Sequence, residues 1–86
     1  MSEGVLLCAD LADSSLGLAA VVRKYAPERV SFYMDQAKAV LGTKEPYTPH
    51  RPDLRQAWRE AVFAYNEAAL KYQKEGFSVS FISIQR

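Results

Sequence analysis

The sequence predicts a small α+β domain, ordered strand, helix, helix, helix, strand, with the two terminal strands paired and packed on the helices. Three stretches carry that reading. Residues 51–75, RPDLRQAWREAVFAYNEAALKYQKE, repeat apolar side chains at helical spacing. Residues 76–86, GFSVSFISIQR, alternate apolar and polar side chains with period two. Residues 4–9, GVLLCA, form a short unbroken apolar run of the length expected of a buried strand.

In chain order, Gly4 to Ala9 is the first expected strand, with Cys8 in it as a small hydrophobe. A nucleophilic thiol needs a base or a cation beside it, and no motif supplies one. Asp10 and Asp13 then cap and charge the start of a helix. The competing reading of these carboxylates is a Mg²⁺ site after a strand, although no third ligand or phosphate-cradling glycine loop accompanies them. The helix runs to about Ala26, with Leu11, Leu18, Val21, Val22 and Tyr25 on one apolar face and Arg23 and Lys24 at its C-terminal end. Gly17 inside it costs about 1 kcal/mol relative to alanine. Close approach of another backbone beside Gly17, Ala19 and Ala20 would explain it.

Pro27 ends this helix or opens the next. Val30, Tyr33, Met34, Ala37 and Leu41 recur at helical spacing and Gly42 closes the pattern, so residues 28–41 are read as a second helix. A strand over residues 30–34 is the alternative, since valine, phenylalanine and tyrosine favour sheets. Residues 42–51, GTKEPYTPHR, form the one long loop. Pro46, Pro49 and Pro52 stand three apart, a spacing that predicts stiff, polyproline-like backbone. Residues 46–51 also match, in form only, a proline-rich ligand with a trailing basic residue.

The third helix is expected over about residues 52–75. Pro52 suits its first turn, Asp53 meets the positive end of the macrodipole, and Gly76 suits its left-handed C-terminal position. Leu54, Trp58, Ala61, Tyr65, Ala68 and Tyr72 make one seam, widened by Val62 and Ala69. Phe63 and Leu70 lie roughly opposite, beside Arg59 and Asn66. They are either isolated surface apolars or a second interface. In the last expected strand, Phe77, Val79 and Phe81 give way to Ile82 and Ile84 on the other face, a change of phase that predicts a bulge or cover on both faces.

Composition bounds what such a chain does. Eighty-six residues make a single domain, residues 1–86, with a modest core. Eleven basic and ten acidic residues nearly cancel, so no global field attracts nucleic acid or an anionic membrane. One cysteine excludes an internal disulfide framework and fits the cytoplasm. No apolar run is long enough to span a bilayer, and the N-terminus has no basic stretch before an apolar core. His50 is the only histidine, so no histidine-based metal cluster exists, and no catalytic residue or cofactor is assigned.

Three functional classes remain. The first is a non-catalytic module that binds another protein and modulates it, most simply by inhibition, as immunity proteins and antagonists encoded by viruses or mobile elements do. Its expected contact patch is Tyr47, His50, Arg51, Arg55 and Arg59, with Tyr47 and Arg51 as anchors, because a stiff loop sets aromatic and guanidinium groups beside a helix start. Phe63 and Leu70 are a possible second interface. Together with two open sheet edges they predict a homodimer. The second class is a nucleic-acid module using Arg51, Arg55 and Arg59 with Lys44 and His50; near-neutral charge limits it to weak, nonspecific, salt-sensitive binding. The third is a small-ligand or metal-dependent enzyme around Asp10, Asp13 and Cys8.

Overall fold

A computed structural model describes residues 2–42 and 44–83, with side chains from residue 7 onward. Among these residues are three α-helices, α1 (Ser2–Tyr25), α2 (Val30–Leu41) and α3 (Pro52–Lys74), with a single 3-10 turn at Pro27–Arg29. Among the described residues there is no sheet, so the expected α+β fold is replaced by a small helical domain.

The first correction is at the N-terminus. Residues 4–9 are not a strand; they are the opening turns of α1, and Asp10 and Asp13 lie inside the helix rather than at its start. A short apolar run fits a strand and a buried helix equally well. Here no proline or turn residue separates it from the helical pattern that follows, so the helix propagates back through it.

The second correction is the face of α1 that enters the core. Ala12, Ser15 and Ala19 are buried, with Leu16 and Val22 partly covered against the core. Leu11, Leu18, Val21 and Tyr25 are exposed. Small side chains let α1 lie close against α2, its most extensive contact, and against α3. Gly17 has no part in this: a methyl built on it meets no atom within 4 Å.

Between the two possibilities at residues 30–34, the helix is the one observed. Val30, Met34, Ala37 and Leu41 are buried along one stripe, and Gly42 (φ 70°) ends α2. On α3, Leu54, Trp58, Val62, Tyr65, Ala69 and Tyr72 are buried. The Trp58 indole N–H donates to the Leu41 carbonyl at 2.8 Å. It thereby satisfies one of the acceptors that the end of α2 leaves unpaired.

The end of α3 determines what the C-terminal segment becomes. Gly76 has φ 95°; its N–H donates to the Gln73 carbonyl (3.0 Å) and the Phe77 N–H to the Tyr72 carbonyl (2.9 Å). The Phe77 and Tyr72 rings meet edge to face at 5.7 Å. This is a complete Schellman turn with its apolar contact, and it sends residues 77–83 back along α3.

That segment has the alternation of a strand but, among the described residues, no strand to pair with. Side chains of the helices take the place of a neighbour. Ser31 donates to the Ser78 carbonyl (2.8 Å), Gln73 to the Val79 carbonyl (2.6 Å) and Tyr65 to the Ser80 carbonyl (2.7 Å). The Asn66 amide both donates to the Ile82 carbonyl (3.2 Å) and accepts from the Ile82 N–H (2.8 Å), the pair of bonds that a strand would supply. Val79 and Ile82 are buried, Phe77 is half-buried and Phe81 faces solvent. The change of phase therefore falls between Val79 and Ile82, and Ile84 lies outside the described residues.

Burial, and secondarily the negative charge of Asp35, pushes the Tyr65 phenol up to about 12. An unfolded chain releases that proton near pH 10. Tyr65 is neutral in both states below pH 10, so it contributes no pH dependence there. Between pH 10 and 12 the native state holds more protons than the unfolded state, and stability falls as pH rises. Urea unfolding from pH 9 to 12 is expected to steepen over that window in the wild type and to be shallower in Tyr65→Phe. Equal slopes in the two proteins would contradict the assignment.

Candidate interaction cleft

Several of the expected contact residues converge on the loop before α3. It does not run on as extended polyproline. The Arg51 N–H donates to the Thr48 carbonyl at 3.2 Å, closing a turn with Pro49 at its second position, where a proline's fixed φ is suited. The other prolines stiffen the approach to the turn and the entry to α3.

Glu45 ties this loop to α3. Its carboxylate accepts from the Arg59 guanidinium at 3.0 Å and lies 3.8 Å from that of Arg55. The two arginines are one helical turn apart, so one carboxylate reaches both. Lys44, Glu45, Tyr47, Arg55 and Arg59 then line a cleft of about 590 Å³ that opens to solvent. Tyr47 stands at its edge with 92% of its surface exposed. Two buried polar atoms here have no hydrogen-bond partner, Glu45 Oε1 and Thr48 Oγ1.

Of the expected patch, the cleft brings together Tyr47, Arg55 and Arg59. His50 and Arg51 are exposed but do not line it. Arg51 instead donates through two nitrogens to Asp53, at 3.1 and 3.0 Å. That contact, aided by backbone N–H groups of the first turn, holds the Asp53 carboxyl below the ordinary range. The positive end of α3 is thus already met by an anion of its own chain. With Arg51 paired to Asp53 and Arg55 and Arg59 facing Glu45, the arginine stripe is largely neutralised. Glu45 was not picked out from sequence, since its partners lie 10 and 14 residues downstream.

Phe63 and Leu70 are exposed on the outer side of α3, 67% and 41%. Asn66, between them in sequence, is turned onto Ile82. Asp10 and Asp13 are exposed on α1, and Cys8 is a free, half-buried thiol. Among the described residues no three histidine, cysteine, aspartate or glutamate side chains gather where a metal could be held. Nor is any helix there long and apolar enough to cross a membrane. No protein-family model, curated protein or solved structure matches the chain.

Proposed function

We propose that this chain is a non-catalytic interaction module that binds another protein through the cleft at the start of α3 and modulates it, most simply by occluding the surface it covers. The observation that carries this reading is Tyr47, almost wholly exposed on a proline-braced turn beside two arginines. A tyrosine held out in water costs solvation of its ring and gains contact area only when a partner covers it. Because the turn is stiff before binding, little entropy is lost on ordering it. Arg55 and Arg59, held on Glu45, frame the cleft as polar rim rather than as free charge, which suits a partner that covers the Tyr47 ring. The paired state of the arginines argues against a polyanion as the natural ligand. We assign the module to the cytoplasm on its single free cysteine.

Capture from a native extract identifies the partner, and Tyr47→Ala with Arg55→Ala then tests the site. The double variant is expected to weaken binding by about 2 kcal/mol, the usual hot-spot level. Both side chains are exposed, so the melting temperature should barely move. Unchanged affinity would remove the cleft as the site. Tight binding to DNA that survives about 200 mM salt would replace this reading with a nucleic-acid one.

A further inference from the structure

The core uses the small-residue face of α1 and leaves a larger apolar face uncovered. Leu7 (58% exposed), Leu11 (47%), Leu18 (46%), Val21 (54%) and Tyr25 (82%) stand on it. With Ser14 they occupy positions 7, 11, 14, 18, 21 and 25, alternating steps of four and three. That spacing makes one continuous seam of the coiled-coil type. Single exposed apolars are ordinary, but a row of five on one face marks an interaction surface.

We infer that this face pairs with the α1 of a second copy, antiparallel, in a two-fold symmetric dimer. The seam is a palindrome about residue 16. Laid antiparallel, Leu7 meets the second copy's Tyr25, Leu11 its Val21, and Ser14 its Leu18, and the same three layers repeat on the other side of the axis. Any seam of this spacing is symmetric in this way, so the layers allow an isologous pair, and the flanking charges favour it.

Two further features fit the same arrangement. Asp10, Gly17 and Lys24 form a row seven apart along one flank of the seam. The antiparallel copy sets Asp10 beside the second copy's Lys24, and Lys24 beside its Asp10, giving two symmetric ion pairs. A parallel copy would put the two rows on opposite sides of the seam and form neither pair. Both residues are exposed and neither joins a salt bridge among the described residues. Gly17 falls between them, facing its own counterpart at the axis. Its own chain does not need a glycine there, because an added methyl would meet open space. A helix crossing close at that point does.

The seam shares no residue with the cleft, so the inference stands apart from the proposed function. Size exclusion with light scattering from about 5 to 200 μM should report twice the 9.7 kDa chain mass at the upper end. Leu18→Asp, at a half-exposed position, should give a monomer with an unchanged helical circular dichroism spectrum. Asp10→Lys and Lys24→Asp should each raise the dimer dissociation constant about tenfold, since each sets like charges together at both ends. Mixing the two variants should restore affinity in a heterodimer, where every pair is again opposite in sign. A monomer throughout the range overturns the inference. So does a dimer that survives Leu18→Asp but is lost in Phe63→Asp, or a mixture of the two charge variants that gains nothing.

Discussion

Trp58→Ala is expected to be the most damaging single truncation in this domain. Truncating a buried tryptophan costs about 3–5 kcal/mol from lost transfer free energy and the cavity left behind. Trp58 is 3% exposed and packed in the core formed by all three helices. Its indole also carries the bond to the Leu41 carbonyl, so truncation leaves an acceptor unpaired at the end of α2. A domain of this size holds roughly 4–13 kcal/mol in total. Far-UV circular dichroism during urea unfolding should show the midpoint lowered by the equivalent of about 3–5 kcal/mol, with the variant unfolded in water if the wild type's total lies at the low end. Trp58→Phe separates the contributions: it keeps much of the buried area, loses the donor and should cost about 1–2 kcal/mol. A loss under about 1.5 kcal/mol for Trp58→Ala would mean that the core closes without it.

Asn66→Ala should cost about 2–4 kcal/mol, a large effect for a polar side chain. Its amide makes both bonds to the Ile82 backbone, and removing it leaves a part-buried N–H and a part-buried carbonyl without partners, at about 1–3 kcal/mol each. The loss should be local at first. Residues 77–83 should detach while the helices persist, because the other side-chain bonds to the segment are single ones from Ser31, Lys38, Gln73 and Tyr65. Hydrogen exchange at the Ile82 amide is the direct readout: at least a tenfold rise is expected, with α3 amides near Tyr65 little changed. Asn66→Asp keeps the acceptor but turns a carboxylate oxygen toward the Ile82 carbonyl, and should also release the segment. Protection of Ile82 that persists in Asn66→Ala would show that the amide only decorates a segment held by its apolar contacts.

The parts of the fold legible in sequence are those governed by near neighbours. The third helix was readable at both ends because Pro52 and Gly76 act within one turn. The second was closed by Gly42 in the same way. Extended backbone after Gly76 followed from period-two alternation. The sheet did not, since alternation is a property of one segment and pairing needs another. Asn66, Gln73, Tyr65 and Ser31 supply the bonds of a missing strand, and no local pattern marks a helix side chain for that task. At the cleft, the exposed Tyr47 could be foreseen from three prolines in step. The grip of Glu45 on Arg55 and Arg59 could not, because it depends on how the loop folds back.

By itself, then, the sequence determined the third helix with its ends, the C-terminal end of the second and the extended backbone after Gly76; the structure chose the helix over a strand at residues 30–34. The tertiary structure decided whether residues 4–9 join a sheet or a helix, and which face of α1 turns inward. The physical reason is that α1 is apolar on two faces, so burial alone does not choose between them. The choice rests on how closely helices pack. Ala12, Ser15 and Ala19 admit α2 and α3 at short range, whereas Leu11, Leu18 and Val21 would hold them apart.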